Sequence, residues 1–265
     1  MDYDLAYANA DFIPNSNAYP PRWAREAAEF RERRKERAQL GISYGETERE
    51  AFDLFLPDAP PLGLLVFVHG GYWLRFGRED WSGFAAGPVA LGWAVAMPSY
   101  PLAPAARIRD ITRAVGRGIA ACARAVPEVP VVLTGHSAGA HLAARMNVLD
   151  ALLAQAVVRR VRRVVPISPV ADLRPLTRTR MNADLRLDAA EAQSESPVLG
   201  TPRHGFETLV WVGAEERPAF LDQARWLVES WDEARLHIAP GRHHFDVIEP
   251  LKSPDSAMTR ALVAD

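Results

Sequence analysis

A serine hydroxyl is a poor nucleophile until a neighbouring base takes its proton, so a candidate serine is judged by its setting. Ser137 lies in Gly135-His136-Ser137-Ala138-Gly139, which fits the G-x-S-x-G turn, with the apolar run "VPVVLT" before it and "AHLAARM" after it. That order places the hydroxyl on a sharp strand-to-helix turn. Glycines two places away on either side spare a collision there, and the helix N-terminus aims its dipole and free N–H groups at the reacting centre. The bland alternative is a Gly-Ser turn in which Ser137 merely caps the helix.

A base should follow later in the chain at another strand end, and "LHIAPGRHHFDVIEP" offers His243 and His244. His244 is the favoured base, with "FDVIEP" read as the start of the last helix, anchored by Phe245 and Ile248. His237 falls inside a strand pattern. His204, in a polar stretch, has no positional claim beyond a place in the pocket wall. A carboxylate that holds the imidazole in its working tautomer belongs after the preceding strand, where "TLVWVGAEERPAF" presents Glu215 and Glu216. Adjacent acids cannot both face the histidine, and the residues themselves leave the choice open. Asp222, in a helical pattern, is the reserve.

Attack on a carbonyl puts negative charge on its oxygen, which preorganised N–H donors stabilise by roughly 3–4 kcal/mol each. The loop "VFVHGGYW" (66–73) suits that task. Gly71 and Tyr72, together with Ala138 after the nucleophile, are the expected donors. His69 braces the loop by hydrogen bonding. Tyr72, Trp73 and His136 are candidate walls of a pocket for an aromatic or apolar substrate, core packing being as good a reading for Trp73.

These residues need a scaffold. Short apolar runs bounded by Gly or Pro recur at 62–70, 93–100, 129–136, 161–168, 207–214 and 234–241, after an alternating strand at 50–57. Helical stretches lie between most of them, at about 79–90, 107–125, 138–154 and 216–231. Alternation of this kind predicts a mostly parallel sheet with helices on both faces, the chemistry lying just past the strands' carboxyl ends. Residues 1 to about 21 read as irregular, broken by Pro14, Pro20 and Pro21. A solvated helix is expected from Arg22 to near Gly41, resting on Trp23, Ala27, Phe30 and Leu40. The polar 170–206 segment reads as a small cap-like insertion over one end of the sheet, and the whole 265 residues as one domain.

Net charge of −2 and pI near 6.4 give no reason to expect nucleic acid as a partner. The single cysteine, Cys122, excludes an internal disulfide and reads as a small buried apolar residue. The acidic N-terminus lacks the pattern of a secretory signal, and no apolar run is long enough to span a bilayer, so a cytoplasmic protein is expected. The run "VVRRVRRVV" (157–165) is open to a homodimer reading, and equally to arginines facing solvent.

Together, "HGGYW", "GHSAGAHLAA", "SPVADLRPL", "MNADLRLDAAEAQSESP", "VGAEERPAFLDQARWL" and "HHFDVIEPL" resemble the arylformamidase (kynurenine formamidase) branch of the α/β-hydrolases, related to hormone-sensitive-lipase-like esterases. The lead-in "AYANADFIPNSNAYPPRW" resembles that family too, so the likeness covers nearly the whole chain. It implies an α/β-hydrolase fold and a serine hydrolase that uses no metal or organic cofactor. The implied reaction splits the small molecule N-formyl-L-kynurenine into formate and kynurenine, with small aryl esters as side substrates. It also implies Ser137 as nucleophile, His244 as base and Glu216 as acid, because "RPAF" after Glu216 is similar to the family's "SPEF". Glutamate departs from the aspartate of the best-known members. A general carboxylesterase would use the same machinery. A non-catalytic relative would ordinarily have lost one of the three groups, and none is missing.

Overall fold

The structure is a computed structural model that describes residues 2–263. Eight strands form one sheet: β1 (Ala38–Ser43), β2 (Ala51–Phe55), β3 (Leu64–Val68), β4 (Ala94–Pro98), β5 (Val131–His136), β6 (Val161–Ile167), β7 (Glu207–Gly213) and β8 (Ala234–Ala239). Their order is β1-β2-β4-β3-β5-β6-β7-β8, with the β1–β2 and β2–β4 pairings antiparallel and the remaining pairings parallel. Every residue of β2, β3, β4 and β5 is buried, as a sheet covered on both faces requires. In β3 the period of two is visible: Leu64, Val66 and Val68 enter one core, and Leu65 and Phe67 the other.

The chain leaves β3 toward β4 on one side and reaches β5 on the other, so a crevice opens at the carboxyl ends of β3 and β5. Val68 and Gly135 are register partners. The loop after β3 and the turn after β5 therefore emerge side by side. Beyond the strands the rim is stitched by Ser137 N–H to Ile167 O (2.9 Å), Ser168 N–H to Trp211 O (2.7 Å) and Ala214 N–H to Ala239 O (2.9 Å).

Close packing explains the two glycines that flank Ser137. A Cβ on Gly139 would lie 2.0 Å from Val68 O and 2.5 Å from His69 O; one on Gly135 would lie 2.5 Å from Gly139 O. All are backbone atoms, and none can swing away. Gly139→Ala is expected to destabilise the fold by about 3 kcal/mol or more, at the top of the overpacking range, measured as a drop in the urea midpoint. A loss below about 1 kcal/mol would contradict this close approach.

Helix boundaries depart from expectation at both ends of the chain. The N-terminal segment is ordered: a helix spans Tyr3–Tyr7, and the next, Tyr19–Arg33, carries Pro20 and Pro21 in its first turn, where proline's missing N–H costs nothing. That helix buries Trp23, Ala27 and Phe30 as expected but stops at Arg33. Residues 38–43 instead pair with β2 as an edge strand, leaving Leu40 53% exposed. Edge pairing overrides the helix propensity of Ala, Gln and Leu there. Residues 245–248 form turns, and the closing α-helix spans Ala257–Val263. The helix after Ser137 ends at Met146, short of the expected 154. Residues 170–206 comprise short helical turns, Asn182–Leu185 and Ala189–Ser194 among them. This excursion docks on the N-terminal segment through Arg180–Asp4 (3.0 Å). Cys122 is buried in the helix Ile108–Ala125, as expected. No helix among the described residues is long and apolar enough to cross a membrane.

In the "VVRRVRRVV" run two arginines are structural. Arg160 donates to Val129 O, Ala123 O and Val126 O at 2.5–2.8 Å, closing the end of the helix Ile108–Ala125. Arg163 pairs with Glu207 across to β7 (2.6 Å).

Candidate active site

Ser137 follows β5 with φ 56° and ψ −116°, and its side chain makes no capping hydrogen bond. The helix-cap alternative therefore has no support in the geometry. A non-glycine residue at positive φ costs about 1–3 kcal/mol and persists only where the surroundings over-determine it. Here the strand pairing of β5 and the close approach of Gly135 and Gly139 impose it.

Glu216 and His244 meet at the ends of β7 and β8. Gly213 lets the β8 loop approach, since a Cβ there would lie 2.1 Å from Arg242 O. The His244 Nδ1–H donates to Glu216 Oε2 at 2.6 Å. Glu216 Oε1 accepts from Gly213 N–H at 2.9 Å and from the Ser168 hydroxyl. The carboxylate is fully buried with donors on both oxygens, which compensates the cost of burying it. Because a carboxylate only accepts, Nδ1 carries the proton and Nε2 is left as a lone pair. The ring lies against Phe220 (4.4 Å between centroids) and His136 (4.7 Å). His136 Nε2–H in turn donates to His244 O at 2.8 Å. Burial, and then the neighbouring His244, push the His136 imidazole well below its ordinary range, so it is neutral.

The pair of adjacent acids is resolved by burial, Glu215 being exposed and Glu216 buried. Asp222 faces outward on the helix Pro218–Ser230 and pairs with Arg225. His243 caps its own turn, its Nδ1 accepting from Phe245 and Asp246 N–H (both 3.2 Å). His204 lines a separate cavity with Asn147 and Trp231. His237 stacks on Trp211 in the strands (3.7 Å).

The loop after β3 is held from both sides. His69 stacks flat on Tyr100 (4.2 Å, 8°), and the Tyr100 hydroxyl donates to His69 O at 2.8 Å. Burial lowers the His69 pKa to about 3; the ring is a neutral brace, as expected. Gly71 has φ +114°, and a Cβ there would lie 2.5 Å from Arg75 O. The Tyr72 hydroxyl donates to Tyr7 O (2.9 Å) and accepts from Asn9 Nδ2 (3.0 Å). Backbone N–H groups of Gly71 and Tyr72 reach no protein acceptor among the described residues. Ala138 opens its helix, so its N–H lacks an intrahelical partner.

Ser137 and His244 line one cavity of about 270 Å³, walled by Tyr72, Phe76, Trp81 and Phe245. His136 and Tyr72 are among the residues that line it. Trp73 is not: it is fully buried beneath the loop, edge-on to His141 (5.1 Å, 84°). With Tyr72 anchored outward, the next side chain turns into the core. Sequence reasoning also missed the opposite wall, which is the N-terminal segment through Ala10, Ser16, Asn17 and Pro20. Ser168 was missed as well, its only signal being that "VVPIS" ends in a hydroxyl at a strand's carboxyl end.

Residues 65–202, more than half of the chain, match the family model described as the alpha/beta hydrolase fold. The chain belongs to the α/β-hydrolase family. The matched stretch contains the loop after β3 and the Ser137 turn, while Glu216 and His244 lie beyond it. Kynurenine formamidase of Salmo salar is 29% identical over 238 residues, covering 84% of this α/β-hydrolase and 80% of the fish protein. A crystal structure of a candidate thioesterase from Silicibacter sp. TM1040 is 52% identical with a TM-score of 0.97 over the whole of both chains. Esterase B of Lactobacillus rhamnosis shares the fold at 16% identity and a TM-score of 0.69, covering 92% of this chain and 91% of its own. These likenesses make the chain a hydrolase of the α/β fold.

Proposed function

We propose that this α/β-hydrolase is a serine hydrolase that cleaves a small aryl formamide, N-formyl-L-kynurenine, to kynurenine and formate. The buried Glu216–His244 pair, sharing a rim and a cavity with the Ser137 turn, carries the reading. Ser137 Oγ attacks the formyl carbon while His244 Nε2 takes its proton. The oxyanion is met by N–H groups of Gly71, Tyr72 and Ala138. Collapse expels the aryl amine, which His244 protonates as it leaves, and a formyl ester remains on Ser137. Water, activated by the same imidazole, then releases formate. Glu216 holds the ring and stabilises the imidazolium.

Likeness to kynurenine formamidase supports the formamide substrate. The cavity, near the lower end of the roughly 300–1,000 Å³ usual for ligand sites, suits a single aromatic ring between Tyr72, Trp81 and Phe245. A second reading, hydrolysis of small esters or thioesters by the same steps, draws on the closely similar candidate thioesterase. Comparing kcat/KM for N-formyl-L-kynurenine, p-nitrophenyl acetate and an acetyl thioester separates the two. The formamide is expected to be preferred; an ester or thioester favoured by more than about tenfold would overturn the first reading.

A further inference from the structure

The proposed reaction leaves one charged side chain of the cavity without a task. Among the described residues, Arg75 is the only Lys, Arg, Asp or Glu lining the cavity that holds Ser137 and His244. It also lines an adjoining outer cavity of about 450 Å³ that shares Tyr72 and Phe245 with the first. Nearby arginines are engaged: Arg78 with Asp53 (2.9 Å), and Arg49 with the carbonyls of Tyr100 and Phe76. The Arg75 guanidinium makes no hydrogen bond or ion pair among the described residues; it lies 5.8 Å from the Phe76 ring centroid, and its charge acts on the neighbouring Tyr72 hydroxyl. Its backbone, by contrast, is fixed on the loop, with Arg75 N–H donating to Gly71 O at 3.1 Å. A guanidinium with no hydrogen-bond partner is thus mounted three to four residues from the proposed donors Tyr72 and Gly71. The inner cavity holds no other Lys, Arg, Asp or Glu among the described residues, while the outer one also carries Asp11, Asp184 and the paired Asp4 and Arg180.

We propose that Arg75 is a specificity-determining residue that binds a carboxylate on the leaving-group side of an aryl substrate. This rests on the hydrolase reading above. A formyl group carries no substituent, so any recognised charge must sit on the amine portion. A guanidinium grips a carboxylate through paired N–H donors. Arg75 is exposed, so ordering its arm and screening by solvent limit the gain; the partly enclosed site keeps it near tenfold in KM.

The test uses two matched pairs, N-formyl-L-kynurenine with its carboxamide, and 4-acetoxybenzoate with its methyl ester. Arg75→Gln is expected to raise KM for the anionic member about tenfold, leave kcat within about twofold, and leave the neutral member unchanged. Arg75→Lys should recover part of the loss. Salt should raise the KM of the unmodified protein for the anion and not that of Arg75→Gln. Equal effects on both members of a pair, or none on either, would overturn the proposal. If only the ester pair is turned over, the formamide assignment falls, and that pair alone decides the role of Arg75.

Discussion

Ser137→Ala is expected to lower turnover by on the order of 10⁵-fold while leaving the melting temperature within about 2 °C. The size follows from chemistry: without the hydroxyl no acyl-enzyme forms, and only the oxyanion donors and substrate positioning remain to assist water. The small stability change follows from structure. Ser137 makes no capping bond, and alanine keeps the same Cβ at the same φ of 56°. Ser137→Gly sharpens the point. Glycine accepts positive φ freely, so this variant should be more stable by about 1 kcal/mol and equally inactive. Near-native activity in either variant would remove Ser137 from the mechanism. Parallel loss of activity and folding would recast it as structural.

Glu216→Gln is expected to lower kcat by about 10⁴-fold, with KM little changed, for a reason that lies in hydrogen-bond polarity. Glu216 accepts at both oxygens, from His244 Nδ1–H on one and from Gly213 N–H and Ser168 on the other. A glutamine amide must turn its NH₂ toward one of these. Facing His244, it forces the proton onto Nε2, and the lone pair that would take the Ser137 proton is gone. Facing Gly213, it sets donor against a backbone donor that cannot rotate. The exposed neighbour supplies the control: Glu215→Gln should stay within about twofold. Equal behaviour of the two variants would mean that Glu216 does not hold the base.

How much of this was legible beforehand depended on how local each determinant is. The Ser137 turn was readable because its requirements lie within five residues: a strand, two side-chain-free positions and a helix. The parallel sheet was readable because fully buried strands such as Leu64–Val68 carry unbroken apolar runs. Strand β1 was not, since Ala38–Ser43 is an edge whose state is decided by pairing with Ala51–Phe55. Between Glu215 and Glu216 only family likeness chose, and burial of one neighbour is a tertiary fact. The same holds for Trp73, whose direction follows from Tyr72 being tied to Tyr7 and Asn9, more than sixty residues away. Those long-range bonds also place the N-terminal segment over the cavity, a wall that no pattern within residues 1–21 announces.

Incubating the unmodified protein with a fluorophosphonate and mapping the adduct by peptide mass spectrometry addresses Ser137 most directly. A nucleophilic serine predicts a single phosphonyl adduct, on the peptide containing Ser137, forming much more slowly when His244 is replaced by alanine. An adduct on a different serine, or substrate turnover that continues while Ser137 stays unmodified, would contradict it.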